Sequence, residues 1–117
     1  GELVLVVDDE PLIREVTERM LKRAGYRSLV ASDGVEGLET YSAHMDEIAV
    51  VLTDMMMPEM DGPALIVALR ALRPDVRIIG MSGFQPGGLA SNAGLPTLLA
   101  KPFTAPDLLV ALRAALD

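Results

Sequence analysis

The chain has 117 residues, half of them hydrophobic, no cysteine and a formal net charge of −7. This length fits a single domain, residues 1–117, and the negative charge argues against binding to nucleic acids or anionic membranes, where basic surface supplies the attraction. The absence of cysteine excludes disulfides and thiolate metal sites and suits a reducing compartment, so we expect a cytoplasmic location; no apolar run approaches the roughly 18 residues that a membrane helix needs.

The chain begins with a strand pattern followed by a helix pattern. Leu3–Val7 is a short, β-branched apolar run that predicts a buried strand. Residues 12–24 then predict a helix, with Pro11 suited to its first turn and Gly25 to its C-terminal end. The apolar positions of this helix are predicted to share one buried face: Leu12, Ile13, Val16, Met20 and Leu21.

The same alternation continues to the middle of the chain. Tyr26–Ala31 predicts the second strand. Asp33 and Glu36 predict the N-terminal cap of a second helix that reaches about Ala43. Ile48–Thr53 is an apolar run that predicts a third, buried strand.

A third strand–helix unit is completed after the turn signal Asp61-Gly62. Pro63 opens a helix that stops before Pro74, because proline cannot continue a helix interior. The apolar residues of this helix are Leu65, Ile66, Leu69 and Leu72. Val76–Met81 predicts the fourth strand.

The last third of the chain holds the weakest helix signal. Residues 84–96 are rich in Gly and Pro where a fourth helix is due, so any helix there is expected to be short. Thr97–Ala100 predicts a short fifth strand, and Thr104 with Asp107 predicts the cap of a last helix. That helix carries Leu108, Leu109, Leu112 and Leu116.

Five strand–helix units in succession predict an α/β fold. Such alternation favours a parallel sheet covered by helices on both faces, and right-handed crossovers make it a doubly wound sheet. In this architecture the ligand site lies beyond the carboxyl ends of the strands.

Polar residues follow the apolar strands at that edge. Asp8 and Asp9 follow the first strand, Asp54 the third, Ser82 the fourth and Lys101 the fifth. Like charges at one place raise carboxyl pKa values and destabilise a fold, and a divalent cation relieves this repulsion. Because no histidine or cysteine stands nearby in the sequence, the all-oxygen set indicates Mg²⁺ or a similar hard ion.

The same residues suit phosphoryl chemistry. A carboxylate beside a cation can attack phosphorus, so Asp54 is a candidate for an aspartyl phosphate. The transferred group needs its charge neutralised, and Lys101 is the lysine at this edge. Ser82 could donate a hydrogen bond to a phosphoryl oxygen.

Four motifs, in order along the chain, resemble the receiver domain of two-component response regulators: "LVVDDEP", "VLTDMMMPEMDG", "MSG" and "LLAKPF". The resemblance covers essentially the whole chain. It implies a five-stranded, flavodoxin-like sheet with strand order 2-1-3-4-5. It also implies that the phosphoryl donor is a histidine on a kinase or on a histidine phosphotransfer domain.

The resemblance implies a role for each residue at the edge. Asp54 would be the phosphoacceptor, with Ser82 and Lys101 contacting the phosphoryl group. Mg²⁺ or Mn²⁺ would be bound by Asp8, Asp9, Asp54 and the backbone carbonyl of Met56, with Asp9 a likelier direct ligand than Asp8. The peptide bond between Lys101 and Pro102 is often cis in this family.

The sequence departs from many receivers at two positions. Leu98 stands three residues before the lysine, where an aromatic side chain is common, and Met56 stands two residues after Asp54, where a polar one is common. These departures bear on the output mechanism and on the phosphoryl lifetime. "MSGF" and the weak fourth helix are also similar to receivers at the C-terminus of hybrid histidine kinases, so the parent chain would be an enzyme although this domain alone would catalyse only its own phosphotransfer.

Other interpretations remain open from the residues. Asp8 and Glu10 could only cap the first helix, since acids are favoured there. A phosphohydrolase with an aspartate nucleophile would use similar groups, but it usually carries Asp-x-Asp on the first strand. A third possibility is a pseudo-receiver that is not phosphorylated and mediates assembly.

Overall fold

The computed structural model describes residues 1–57, 60–82 and 97–116. Within them lie five strands and four helices. Their bounds are β1 (Leu3–Val7), α1 (Pro11–Arg23), β2 (Arg27–Ala31), α2 (Gly34–Ala43), β3 (Ile48–Asp54), α3 (Gly62–Leu72), β4 (Ile78–Ser82), β5 (Leu98–Ala100) and α4 (Ala105–Leu116). The weak helix expected within 84–96 lies outside the described residues.

The strands form one parallel sheet in the order β2-β1-β3-β4-β5. This order and the doubly wound architecture confirm the predicted fold. The central strands β1, β3 and β4 are buried along their whole length, apart from one partly buried alanine in β3. Their unbroken apolar runs are therefore explained by helices that cover both faces.

Alternate residues of the strands point into two separate cores. Leu5 and Val51 belong to the core on the face covered by α2 and α3, which includes Tyr41, Leu65 and Leu69. Val6 and Leu52 belong to the opposite core, covered by α1 and α4, which includes Leu21, Leu108 and Leu112. Since successive side chains in a strand point to opposite faces, one apolar run serves both cores.

The predicted helix caps are present. The Asp33 carboxylate accepts a hydrogen bond from the Glu36 backbone N–H at 2.8 Å. At the start of α4, Thr104 and Asp107 each accept a hydrogen bond from the other's backbone N–H, at 3.3 and 3.1 Å, which is a capping box. Gly25 ends α1 with φ of 89°, a left-handed conformation that favours glycine.

Several predicted details are wrong. Leu12 was expected on the buried face of α1 but is 68% exposed, because the first turn of this helix lies at the edge of the sheet. The backbone N–H of Tyr26 still bonds Leu21 in the last turn of α1, so β2 begins one residue later than predicted. Similarly, Val76 is held in a turn by Arg73, and β4 begins only at residue 78. Among the described residues, no helix is long and apolar enough to cross a membrane.

Candidate functional site at the carboxyl edge of the sheet

The strand pairing brings the predicted site residues to one edge. Asp54 is the last residue of β3 and pairs in register with Met81, which precedes Ser82 at the end of β4. The backbone N–H of Lys101 donates to the carbonyl of Ser82 at 2.8 Å, so Lys101 directly follows the end of β5 beside β4. The peptide bond between Lys101 and Pro102 is cis, as the resemblance implied.

The Lys101 ammonium lies between two buried carboxylates. Its Nζ is 2.7 Å from Asp8 Oδ2 and 3.4 Å from Asp54 Oδ1. Asp8 is fully buried and Asp54 is 5% exposed, while the Lys101 side chain is 11% exposed. Glu10, at the surface, adds a weaker ion pair at 3.9 Å. The geometry therefore joins β1, β3 and the end of β5 through one ammonium group.

The electrostatics of this cluster make ionisation of Asp54 less favourable than that of an exposed aspartate. Burial and the negative charge of Asp8 raise the pKa of the Asp54 carboxyl above its ordinary value, against the opposing effect of Lys101. Burial would lower the pKa of Lys101, but the hydrogen bond and charge of Asp8 and the charge of Asp54 together raise that pKa. Lys101 therefore stays protonated at neutral pH. The predicted crowding of acids is present at Asp8 and Asp54, and the positive charge of Lys101 compensates part of their repulsion.

The backbone around Asp54 is held by several hydrogen bonds. The Met56 N–H donates to Asp54 Oδ1 at 3.3 Å, and the Thr53 hydroxyl donates to the Asp54 carbonyl at 3.0 Å. The Met55 N–H donates to the Met81 carbonyl at 2.9 Å, which extends the bonding between β3 and β4 past the end of β3. These bonds restrict the direction in which the Asp54 carboxylate can point.

Gly62 allows the start of α3 to pack closely on the backbone of Asp54 and Met55 at the end of β3. A Cβ atom at this position would lie 2.6 Å from Met55 Cα and 2.8 Å from the Asp54 carbonyl oxygen. The Gly62 N–H also donates to the Met55 carbonyl at 3.3 Å. Any side chain at residue 62 would therefore displace the backbone that carries Asp54. The turn signal Asp61-Gly62 was seen in the sequence, but this contact could not be, since it depends on where the helix packs.

A second group of carboxylates could hold a cation. Asp8, Asp9 and Glu10 place one carboxylate oxygen each within 4.8 Å of one another, Asp8 buried and the other two exposed. The set is all oxygen, which fits a hard divalent ion such as Mg²⁺. From the sequence, Glu10 was expected only as a possible cap of the first helix. It occupies the N-cap position of α1, but its side chain makes no capping hydrogen bond.

The remaining predicted residues lie around these groups. Ser82 is fully buried at the end of β4. Met55 and Met57 are buried in the core on the α2 and α3 face, whereas the Met56 side chain is 65% exposed next to Asp54. Leu98, in the position where an aromatic residue is common, is partly buried against the same core. Direct metal binding by Asp54 and by the Met56 carbonyl stays a prediction.

Comparison with known proteins supplies a family. The profile described as the response regulator receiver domain matches residues 4–113. The sensor kinase CckA of Brucella abortus (strain 2308) is 37% identical over 119 residues, covering 97% of this chain but 12% of that protein. Further curated relatives, response regulators among them, are covered over 45% to 50% of their length.

Solved structures agree with this match. A response regulator receiver domain protein from Clostridium thermocellum is similar with a TM-score of 0.91 and 32% identity, covering 99% of this chain and 94% of that one. The response regulator protein TrrA from Thermotoga maritima, crystallised in complex with Mg²⁺-BeF, has a TM-score of 0.89 and 26% identity, covering 99% and 100%.

Proposed function

This chain belongs to the response regulator receiver family of two-component signalling, and we propose that it accepts a phosphoryl group on Asp54 in a histidine-to-aspartate phosphorelay. The observation that carries the proposal is the position of Lys101, whose ammonium lies between the Asp8 and Asp54 carboxylates at the edge where ligands bind in this fold. A lysine held there can neutralise a group transferred to Asp54.

Apart from a divalent cation, the transfer uses groups that this chain and its donor supply. A carboxylate oxygen of Asp54 attacks the phosphorus of a phosphohistidine, the phosphorus–nitrogen bond breaks, and the imidazole leaves with the electron pair. The raised pKa of Asp54 makes its carboxylate more basic than an exposed one. Lys101 can shift from Asp54 Oδ1 to a phosphoryl oxygen, and Ser82 donates a hydrogen bond to the same group.

Receiver domains generally depend on Mg²⁺, and the residues of this chain fit that ion. We propose that Asp8, Asp9, Asp54 and the carbonyl of Met56 hold Mg²⁺ or Mn²⁺, and that the ion supplies charge neutralisation for the phosphoryl oxygens. Without the ion, the charge of Lys101 would compensate only part of the repulsion among Asp8, Asp9 and Asp54.

The donor and the parent chain are proposed from the family and from one relative. Receiver domains interact with histidine kinases and phosphotransfer proteins, and we propose one of these in the cytoplasm as the donor for this chain. The similarity to a sensor kinase supports, without naming a pathway, a receiver that is part of a hybrid histidine kinase.

We propose that phosphorylation is read out on the surface formed by residues 84–96, β5 and α4. A groove of about 540 Å³ between β5 and α4, lined by Leu98, Pro102 and Val110 among others, lies on this side. Leu98 lacks the ring and polar tip that would rotate in an aromatic receiver, so its repacking is expected to be passive. Residues 84–96 lie outside the described part of the chain, and their reordering is the expected main change.

The test is chemical trapping of the modified residue. Incubation with acetyl phosphate and Mg²⁺, followed by borohydride reduction and mass spectrometry, is expected to map one modification to Asp54 and none in Asp54→Ala. Modification that persists in Asp54→Ala would refute the assignment. No modification at all would favour a pseudo-receiver, and multiple turnover of a stable phosphomonoester would favour a phosphohydrolase.

A further inference from the structure

The carbonyl of Asp8 is held by an arginine that the proposed chemistry does not use. Arg14 lies in α1, one turn after its start, and its Nη1 donates to the Asp8 carbonyl oxygen at 2.7 Å. The Arg14 side chain is half-buried, and its backbone N–H bonds the Glu10 carbonyl at 3.1 Å. Arg14 is therefore a second cation beside the acids, and it bonds a backbone carbonyl and not a carboxylate.

The peptide that Arg14 binds joins Asp8 and Asp9, the two acids that directly follow β1. The strand ends at Val7, so the regular pairing with β3 ends one residue before Asp8. Beyond that point the Asp8 N–H bonds the Ala31 carbonyl at 3.1 Å, and Asp8 Oδ1 accepts from the Glu10 N–H at 2.9 Å. Arg14 supplies the bond on the remaining polar group of this residue, its carbonyl.

We propose that Arg14 is a positioning residue, which orients the peptide between Asp8 and Asp9 and thereby sets the two carboxylates at a separation that suits a divalent cation. This inference rests on the proposed function. Asp8 is anchored by Lys101, whereas Asp9 is exposed, so the peptide that precedes Asp9 sets the position of its backbone relative to Asp8. A carbonyl held at 2.7 Å by a helix-borne guanidinium fixes that peptide relative to α1.

Positioning and simple charge predict opposite effects on metal binding. A guanidinium close to an acid cluster repels an approaching cation, so removal of a charge alone would tighten binding of Mg²⁺. Removal of a group that orients the ligands weakens binding, and loss of outer-sphere partners typically costs about 10-fold to 100-fold in metal affinity. The direction of the change separates the two roles.

The experiment compares Arg14→Ala with Arg19→Ala. Arg19 lies on the same helix and makes a hydrogen bond of equal length, 2.7 Å, to the exposed Glu15, so it matches the change in charge and in helix composition. Mg²⁺ is titrated into each folded variant by calorimetry, and amide NMR shifts are recorded in chelator. We expect about 10-fold weaker binding in Arg14→Ala, a displaced Asp9 amide signal without metal, and neither change in Arg19→Ala.

Equal or tighter Mg²⁺ binding in Arg14→Ala, or an Asp9 signal at the position seen in the parent, would overturn the inference. Weaker binding together with the shifted signal would support it. Both measurements are independent of phosphorylation. If Asp54 of the parent were not modified by acetyl phosphate, the proposed function would fail while the effect of Arg14 on the acids would still be measured.

Discussion

Replacing Lys101 with methionine removes the one ammonium that lies between Asp8 and Asp54. Methionine keeps much of the length and apolar stem of lysine, so the change isolates the loss of charge and of its hydrogen bond. Asp8 is fully buried and Asp54 nearly so, and both would then lack their compensating cation. In a chelator, no divalent ion could replace it.

The expected loss is large relative to the stability of a domain. Removal of one partner from a buried ion pair costs roughly 3–5 kcal/mol, because the other charge stays buried and uncompensated. We expect the lower part of that range, about 3 kcal/mol, because the Asp54 carboxyl already has a raised pKa and can take up a proton when Lys101 is lost. A domain of this size has a total stability of about 5–15 kcal/mol.

Divalent cation should restore part of the loss. Binding to the folded state adds RT ln(1 + [L]/Kd), about 2.7 kcal/mol at a hundredfold excess over Kd. With Lys101 gone, the acids lie in a more negative field, so Mg²⁺ is expected to stabilise Lys101→Met more than it stabilises the parent.

The assay is urea unfolding followed by far-ultraviolet circular dichroism, in chelator and in Mg²⁺ at neutral pH. Lys22→Met is the matched control, since Lys22 is the other lysine of the chain and is exposed on α1. Its stability is expected to stay within about 0.5 kcal/mol of the parent. A loss below about 1 kcal/mol in Lys101→Met, or an equal gain from Mg²⁺ in variant and parent, would refute the reasoning.

Three further predictions concern single residues of the described structure. Asp54→Asn raises the free energy of unfolding in chelator, because burial and a neighbouring carboxylate hold the pKa of Asp54 above its ordinary value. The destabilisation by the ionised Asp54 carboxylate is present at neutral pH and disappears as the pH falls through the titration of Asp54. The gain in stability of Asp54→Asn should therefore shrink towards acidic pH, and a gain that grew towards acidic pH in urea titrations would contradict the prediction. Thr17→Val raises stability by about 1 kcal/mol, since the Thr17 hydroxyl is buried in α1 with no hydrogen-bond partner among the described residues; a less stable variant in the same titration would show that the hydroxyl is satisfied. Gly62→Ala lowers stability by about 1–3 kcal/mol through overpacking and slows phosphorylation by acetyl phosphate, because an added Cβ meets the Asp54 backbone. Gly37→Ala, whose Cβ would meet a β1 side chain instead, is the control; equal slowing per folded molecule in both variants would count against a specific effect at Gly62.

Local patterns in the sequence determined the elements and their order. The apolar runs of the central strands, the cap residues Asp33 and Thr104, and the glycine at residue 25 each act within a few neighbouring residues, and the structure confirms all of them. The parallel, doubly wound sheet follows from this alternation, because short crossovers leave few ways to join such units. The acids and the lysine at strand ends were predicted to meet for the same reason.

The tertiary structure decided how those groups meet. The bonds of Lys101 with particular carboxylates depend on how the ends of three strands are staggered. Asp8 and Lys101 are 93 residues apart in the sequence, so no local pattern predicts their contact. The exposure of Leu12 follows from where α1 leaves the sheet, which a helical periodicity cannot report. The contacts of Arg14 with the Asp8 carbonyl and of Gly62 with the Asp54 backbone exist only because helices pack at particular distances from strand ends. Residue type and local spacing are sufficient to place chemistry at an edge of the sheet, but bond partners and burial are properties of the packed chain.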